Sequence, residues 1–299
     1  MYNFKYTYEE FSPWTDSCEG MEIIPKDAEF VRVTSPVEVT YAEKDGTDLH
    51  IRFLVPEREK GYEKYPLIIH VQGSGWASQN MTSHIGDFAP AVKAGYKVAV
   101  IQYRHADIAR FPAQIIDLKD AAAFLLEHAE EFQIDTDNIF LAGDSSGGHT
   151  AVLGFLTWGL DVLDIKRELP LPKLKGLLDF YGVTSVRQIA ETETGVSKED
   201  NHKLLSYLFD HPEEEVELAD AVKYIGLREE LEPGISFHGN KDRLVPLSHS
   251  VQLYEKLKKR NTDVRLIMID GADHGGSMFW NDRQAEIMMD WLKEHTARD

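Results

Sequence analysis

Two periodicities divide the chain. PVEVTYAE (36–43) and TDLHIRFLVP (47–56) alternate apolar and polar residues on either side of Lys44-Asp45-Gly46, the pattern of two strands with one covered face and a tight turn between them. An antiparallel hairpin is therefore predicted at a sheet edge. From residue 66 the strands read instead as continuous apolar runs: PLIIHVQ (66–72), YKVAVIQYR (96–104), NIFLAG (138–143), LKGLLDFYG (174–182), GISFHGN (234–240) and VRLIMID (264–270). Runs of this kind suit strands buried on both faces. Between them, segments 111–132, 247–261 and 283–295 carry apolar residues at i, i+3, i+4 and i+7, which predicts helices crossing over between parallel strands. The expected architecture is an α/β fold with a mostly parallel central sheet, an antiparallel N-terminal edge and helices on both faces. With no internal repeat and no Pro/Gly/Ser linker, a single domain over residues 1–299 is expected. Sites in such sheets gather beyond the carboxyl ends of the strands, which directs attention to the residues after each run.

Composition narrows the function. Of 299 residues, 42% are hydrophobic and 28% charged, enough apolar surface for a large core and too much for a disordered or fibrous chain. No stretch approaches the ~20 apolar residues of a membrane span, and MYNFKYTYEEFSPW has no basic region leading into an apolar run, so a cytoplasmic protein with no membrane contact is expected. The formal charge of −19 has the wrong sign for nucleic acid, whose binding rests on Lys and Arg neutralising phosphates. Cys18 is the single cysteine, so neither an internal disulfide nor a cysteine-based metal cage can form. The acids are unevenly spread: ten lie between Glu191 and Asp220 against only Lys198 and Lys203. That segment reads as an excursion from the core, a small cap insertion at about 183–220. Within it Leu204, Leu205, Leu208 and Phe209 share helical spacing, which points Leu205 and Leu208 toward a substrate pocket.

The chemistry starts at NIFLAG, which leads into Asp144-Ser145-Ser146-Gly147-Gly148 and then a helical run. Gly143, Ser145 and Gly147 form G-x-S-x-G between a buried strand and a helix, where a serine can sit on a strained turn only if its neighbours two residues away are small. Ser145 is thus the candidate nucleophile, with a helix N-terminus aimed at any anion formed beside it. A serine hydroxyl needs a base, usually a histidine oriented by a carboxylate. Of twelve histidines, only His274 lies in the loop directly after the last predicted strand. Asp242 lies just past the preceding one, with Asp179, Asp270 and Asp273 as weaker competitors. For the oxyanion, the Ser146 N–H and the loop Gln72-Gly73-Ser74-Gly75-Trp76 are the candidate donors. Trp76 and His84 are candidate pocket residues.

At these residues the chain resembles the α/β-hydrolase esterases with an HGGGW oxyanion loop, a group that includes hormone-sensitive-lipase-like enzymes and bacterial acetyl or feruloyl esterase-like enzymes. The likeness spans roughly 64–295 and rests on QGSGW (72–76), AGYKVAVIQYR (94–104), FPAQIIDLKDAAAFL (111–125), IDTDNIFLAGDSSGGH (134–149), HGNKDRLVP (238–246) and GADHGG (271–276). The resemblance implies the α/β-hydrolase fold, Ser145, Asp242 and His274 as catalytic triad, and backbone N–H groups of Ser74, Gly75 and Ser146 as oxyanion hole. It also implies a small-molecule ester as substrate, with no metal and no cofactor. Gln72 and Ser74 replace the family's usual histidine and glycine, and little of the stretch from Gly182 to about Glu232 aligns. The expected activity is hydrolysis of short-acyl esters, such as acetylated carbohydrates or small aryl esters. An amidase of kynurenine-formamidase or small-peptidase type and a non-catalytic ligand-binding hydrolase fold are the alternatives.

Overall fold

The computed structural model describes residues 3–25, 30–58, 62–166, 168–192 and 194–297. Its edge begins with β1 (Arg32–Thr34), β2 (Glu38–Lys44) and β3 (Thr47–Glu57). The predicted hairpin is the β2–β3 pair, closing at Lys44 opposite Thr47. β1 pairs antiparallel with the far half of β3; three residues are too few for an alternating pattern to reveal. β3 in turn pairs antiparallel with β5 (Lys97–Ile101). From there the sheet is parallel through β4 (Tyr65–Val71), β6 (Ile134–Asp144), β7 (Gly176–Phe180), β8 (Gly234–Gly239) and β9 (Val264–Ile269). β6 starts four residues before the apolar run because Ile134 pairs with Tyr65 ahead of a register shift.

The continuous apolar runs follow from cover on both faces. Leu67, Ile69 and Val71 of β4 point into one core together with Leu118 and Leu125 of α2 (Ala113–Glu127), Val152 and Leu156 of α3 (Ser145–Leu156) and Leu253 of α7 (Ser248–Lys259). Ile68 points the other way, into a second core with Val92 of α1 (Ala89–Lys93) and Trp291 and Leu292 of α8 (Asp282–His295). A fully buried leucine or isoleucine contributes about 1.5–3 kcal/mol over its exposed state, so a strand with alternate residues in two cores is held strongly in register. α1 carries no periodic pattern of its own and was not expected from the sequence. No helix among the described residues is long and apolar enough to cross a membrane.

Between β7 and β8 the chain leaves the sheet and forms α4 (Val186–Glu191), α5 (Lys198–Leu208) and α6 (Pro212–Glu215). Residue 193, inside the expected cap segment, lies outside the described residues. Ser185 and Ser197 start α4 and α5 as N-caps, accepting from the N–H groups of Gln188 and Asp200. The end of α5 is pinned to the loop before α2: Phe111 N–H donates to Leu208 O at 3.0 Å, and the Phe209 ring meets Phe111 at 5.5 Å.

The hairpin is tied to α2 by a charge cluster. Fully buried Asp117 accepts from the Arg104 N–H (2.9 Å), Nε (2.9 Å) and Nη2 (2.8 Å) and from Lys44 Nζ (2.7 Å). Asp117→Asn keeps the shape but leaves two cations facing a neutral amide. It is expected to lower the unfolding free energy by about 2 kcal/mol or more. Urea denaturation checks this, and an unchanged midpoint would count against a stabilising role for the cluster.

Candidate active site

Ser145 is the first residue of α3, at φ +53°. That left-handed conformation is uncommon for a residue with a Cβ and persists only where the surroundings impose it. The surroundings are tight. A Cβ at Gly143 would lie 2.4 Å from Gly147 O, and one at Gly147 would lie 2.1 Å from Val71 O. The two glycines of G-x-S-x-G therefore let α3 rest on β6 and β4 with no side chain between, and the Ser145 side chain turns outward at the carboxyl edge.

His274 reaches this edge from the loop after β9, Asp242 from the loop after β8. His274 Nε2 lies 2.8 Å from Ser145 Oγ, and His274 Nδ1 lies 2.7 Å from Asp242 Oδ2. The other carboxylate oxygen, Oδ1, accepts the N–H groups of Leu244 (2.9 Å) and Val245 (2.8 Å). Burial pushes the Asp242 carboxyl up, but hydrogen bonds from His238, His274 and the Val245 N–H outweigh it and hold the pKa well below the usual carboxylate range. The Tyr181 ring stands edge-on against His274 at 4.8 Å. The competing carboxylates are engaged elsewhere. Asp273 binds Arg243 and accepts the His274 N–H at 2.9 Å; Asp270 accepts from Asn240. Two other histidines near the site are buried and uncharged: burial lowers His149 to about 4 and His249 to about 3.

The loop after β4 departs from the expected oxyanion arrangement. Ser74 N–H does not face the space beside Ser145; it donates to Ser146 Oγ at 2.9 Å, as does Trp76 N–H at 3.2 Å. Of the three expected donors, the N–H groups of Gly75 and Ser146 alone remain without a hydrogen-bond partner among the described residues. The serine at 74 is tolerated because the left-handed conformation falls one residue later, at Gly75 (φ +63°) and Trp76 (φ +59°). Its hydroxyl donates to Ala77 O at 2.6 Å and meets Tyr103 OH at 3.1 Å. Gly73 N–H donates to Asp144 Oδ1 at 3.0 Å. The Ser146 hydroxyl and Tyr103 carry no local signal in the sequence, because both act through contacts between segments distant in the chain.

A pocket of about 250 Å³ opens above Ser145, lined by Gly75, Trp76, Ser146 and His274 below and by Val183, Ile189, Leu204 and Val245 around it. Trp76 is where the sequence placed it. Leu205 and Leu208 are not: Leu208 is fully buried in the sheet core, Leu205 packs against that core, and Leu204 with Asn201 faces the pocket. The Phe111–Leu208 contact sets this rotation of α5. His84 also lies off the pocket, its ring between Asp87 and Asp144 and 5.3 Å from that of Trp280.

A mostly parallel sheet carrying a serine on a strand-to-helix turn, with histidine and aspartate on the last two strand-end loops, defines an α/β-hydrolase. The chain belongs to the BD-FAE family, whose pattern matches residues 53–257. It is 25% identical over 219 residues to esterase LipC of Mycobacterium tuberculosis, covering 70% of this chain and 53% of LipC. With ethyl acetate hydrolase of Pseudomonas putida it shares 29% identity over 148 residues, covering 49% of this chain and 44% of that enzyme. The matches span about a third to a half of the length of these curated relatives. Among solved structures, a truncated carbohydrate esterase from gut microbiota superposes with TM-score 0.73 at 23% identity, covering 91% of this chain and 98% of that one. Est2, an esterase of Thermogutta terrifontis, gives TM-score 0.68 at 21% identity, covering 88% and 92%. The HGGGW sequence itself is absent; the loop reads QGSGW.

Asp179, inside β7, tests the electrostatics behind the site. Burial raises its carboxyl to about 6, with His238, Ser236 and the Gly182 N–H pulling the other way. An unfolded aspartate titrates near ~3.9, so between roughly pH 4 and 6 the folded chain holds a proton that the unfolded chain has released. Stability from this group falls as pH rises through that window. Asp179→Asn should flatten the loss and be the more stable form at neutral pH, as unfolding measured across the range would reveal. Parallel pH curves for the two proteins would contradict this.

Proposed function

We propose that the protein is a serine carboxylic-ester hydrolase working through an acyl-enzyme on short-acyl esters. The observation that carries the reading is the continuous chain Ser145 Oγ, His274 Nε2, His274 Nδ1 and Asp242 Oδ2, joined at 2.8 and 2.7 Å. With Nδ1–H donated to Asp242, the imidazole presents an unprotonated Nε2 to the serine hydroxyl. Ser145 Oγ attacks the ester carbonyl while His274 takes its proton, and the N–H groups of Gly75 and Ser146 hold the oxyanion. The leaving alcohol takes that proton from His274. Water then repeats the sequence on the acyl-enzyme and regenerates the hydroxyl. Asp242, kept ionised by its own hydrogen bonds, stabilises the imidazolium formed in each half-reaction.

The pocket supports short acyl groups. Its volume of about 250 Å³ falls under the ~300–1,000 Å³ of pockets for drug-sized ligands, and its walls are mainly aliphatic. The segment around α5 serves as the cap. A carbohydrate is the favoured alcohol component, and its acetyl ester the favoured substrate, in keeping with the carbohydrate esterase among the similar structures.

Steady-state assays on p-nitrophenyl esters of increasing length, acetylated oligosaccharides and N-formylkynurenine test the reading. Turnover should be confined to the esters and greatest for short acyl groups; hydrolysis of the amide alone would overturn it. Ser145→Ala, His274→Ala and Asp242→Asn should each lower kcat by about 10⁴-fold or more, with double variants hardly worse than single ones. A fully active Ser145→Ala protein would exclude the mechanism. Leu204→Ala should raise the rate on longer acyl esters relative to acetyl about tenfold or more, since one pocket methylene is worth ~1–3 kcal/mol. Leu208→Ala should leave that ratio alone and cost about 2–5 kcal/mol of stability. Equal effects of the two on acyl preference would contradict the orientation of α5.

A further inference from the structure

Behind the nucleophile turn lies a polar cluster with no part in the chemistry above. His70, on β4, is completely buried, and neither of its ring nitrogens has a hydrogen-bond partner. Its Nε2 lies 3.3 Å from Asp144 Oδ1, off the direction a hydrogen bond requires. His84 Nε2 lies 3.5 Å from Asp144 Oδ2. A buried imidazole with one nitrogen orphaned and the other poorly aligned on a carboxylate is costly, about 1–3 kcal/mol for each unmade bond.

We propose that His70, His84 and Asp144 form a binding site for one divalent ion of the zinc class. Three observations carry the proposal, and none depends on Ser145 being a nucleophile. The first is spacing. Donors bound tetrahedrally at ~2.0–2.1 Å are about 3.3–3.4 Å apart; His70 Nε2 lies 3.3 Å from Asp144 Oδ1 and His84 Nε2 lies 3.5 Å from Asp144 Oδ2, so the two imidazoles flank the two oxygens of one carboxylate. One ligand atom from each of the three residues lies within 4.8 Å of the others. The second is the outer partner of His84. Its Nδ1 lies 2.7 Å from Asp87 Oδ2; donating Nδ1–H to that carboxylate leaves the Nε2 lone pair directed inward, the arrangement that orients metal-binding histidines. The third is the donor set. Two imidazole nitrogens and a carboxylate suit zinc and its neighbours and not calcium or magnesium, which take oxygen ligands.

The ring of Phe88, 4.8 Å from that of His70, walls the inner side, while the His84 side chain is 14% exposed and marks the way in. A water completing the coordination would enter there. The competing occupant is a proton on His84: burial opposes it, but the flanking Asp144 and Asp87 raise the pKa to about 9. A proton satisfies His84 and Asp144 and leaves His70 as it is. A metal ion gives all three a partner, at one of the two His70 nitrogens. Because Asp144 Oδ1 also holds the Gly73 N–H, the ion would join β4, the oxyanion loop and the nucleophile turn, a positioning role.

Titration of the chelator-treated, full-length protein tests the proposal, with Zn²⁺ followed by calorimetry and Co²⁺ by visible absorption. One equivalent of each should bind, Co²⁺ should give the intense absorption of a tetrahedral site, and Zn²⁺ should raise the unfolding temperature in proportion to its affinity. His84→Gln and His70→Phe should each weaken binding at least tenfold, Asp87→Asn about 10–100-fold, and His274→Ala should leave it unchanged. Should His70→Phe fail to fold, the more exposed His84→Gln still decides. Absence of stoichiometric binding by the wild-type chain, or binding that survives His84→Gln, would overturn the proposal and assign the cluster to a proton.

Discussion

The structure hangs on the contact between the start of α3 and the sheet. For Ser145 to stand at φ +53°, α3 must begin at once after β6, with the Gly147 backbone against Val71 O of the neighbouring strand β4. Only hydrogen fits at positions 143 and 147, and that closeness brings the loop of residues 72–76, which continues β4, alongside the serine. The apolar runs of β4 and β6, packed into two cores, hold both strands so firmly that the strained turn cannot relax.

From that contact the two residues flanking Ser145 acquire distinct tasks. Asp144 turns its carboxylate back to the Gly73 N–H, and the Ser146 hydroxyl accepts from the Ser74 and Trp76 N–H groups. The loop after β4 is thus hydrogen-bonded to the turn at Asp144 and Ser146 at three backbone positions, and Gly75 lines the space above Ser145. Across that space Asp242 and His274 arrive on loops of a different pair of strands. The site is therefore preorganised by backbone-to-side-chain bonds.

Much of this was legible in the sequence wherever the signal was local. Buried parallel strands announce themselves by unbroken apolar runs, and G-x-S-x-G records a steric demand at fixed spacing. The order Ser145, Asp242, His274 follows from strand-end position alone. What was hidden depends on contacts between distant segments. The rotation of α5, which presents Leu204 and not Leu205 or Leu208, is set by Phe111, about a hundred residues earlier in the chain. The diversion of Ser74 N–H to Ser146 Oγ, and the meeting of His70, His84 and Asp144, arise the same way. β1 was too short to carry a period.

Ser145 Oγ, and not the neighbouring Ser146 Oγ, is proposed as the atom that attacks. Incubation with a fluorophosphonate followed by intact-mass and peptide-mapping mass spectrometry tests it most directly. One phosphonyl group per chain, located on Ser145 and absent when Asp242→Asn protein is treated for the same short time, is the predicted result. An adduct on Ser146 or elsewhere, or no adduct in the wild-type chain, would contradict it.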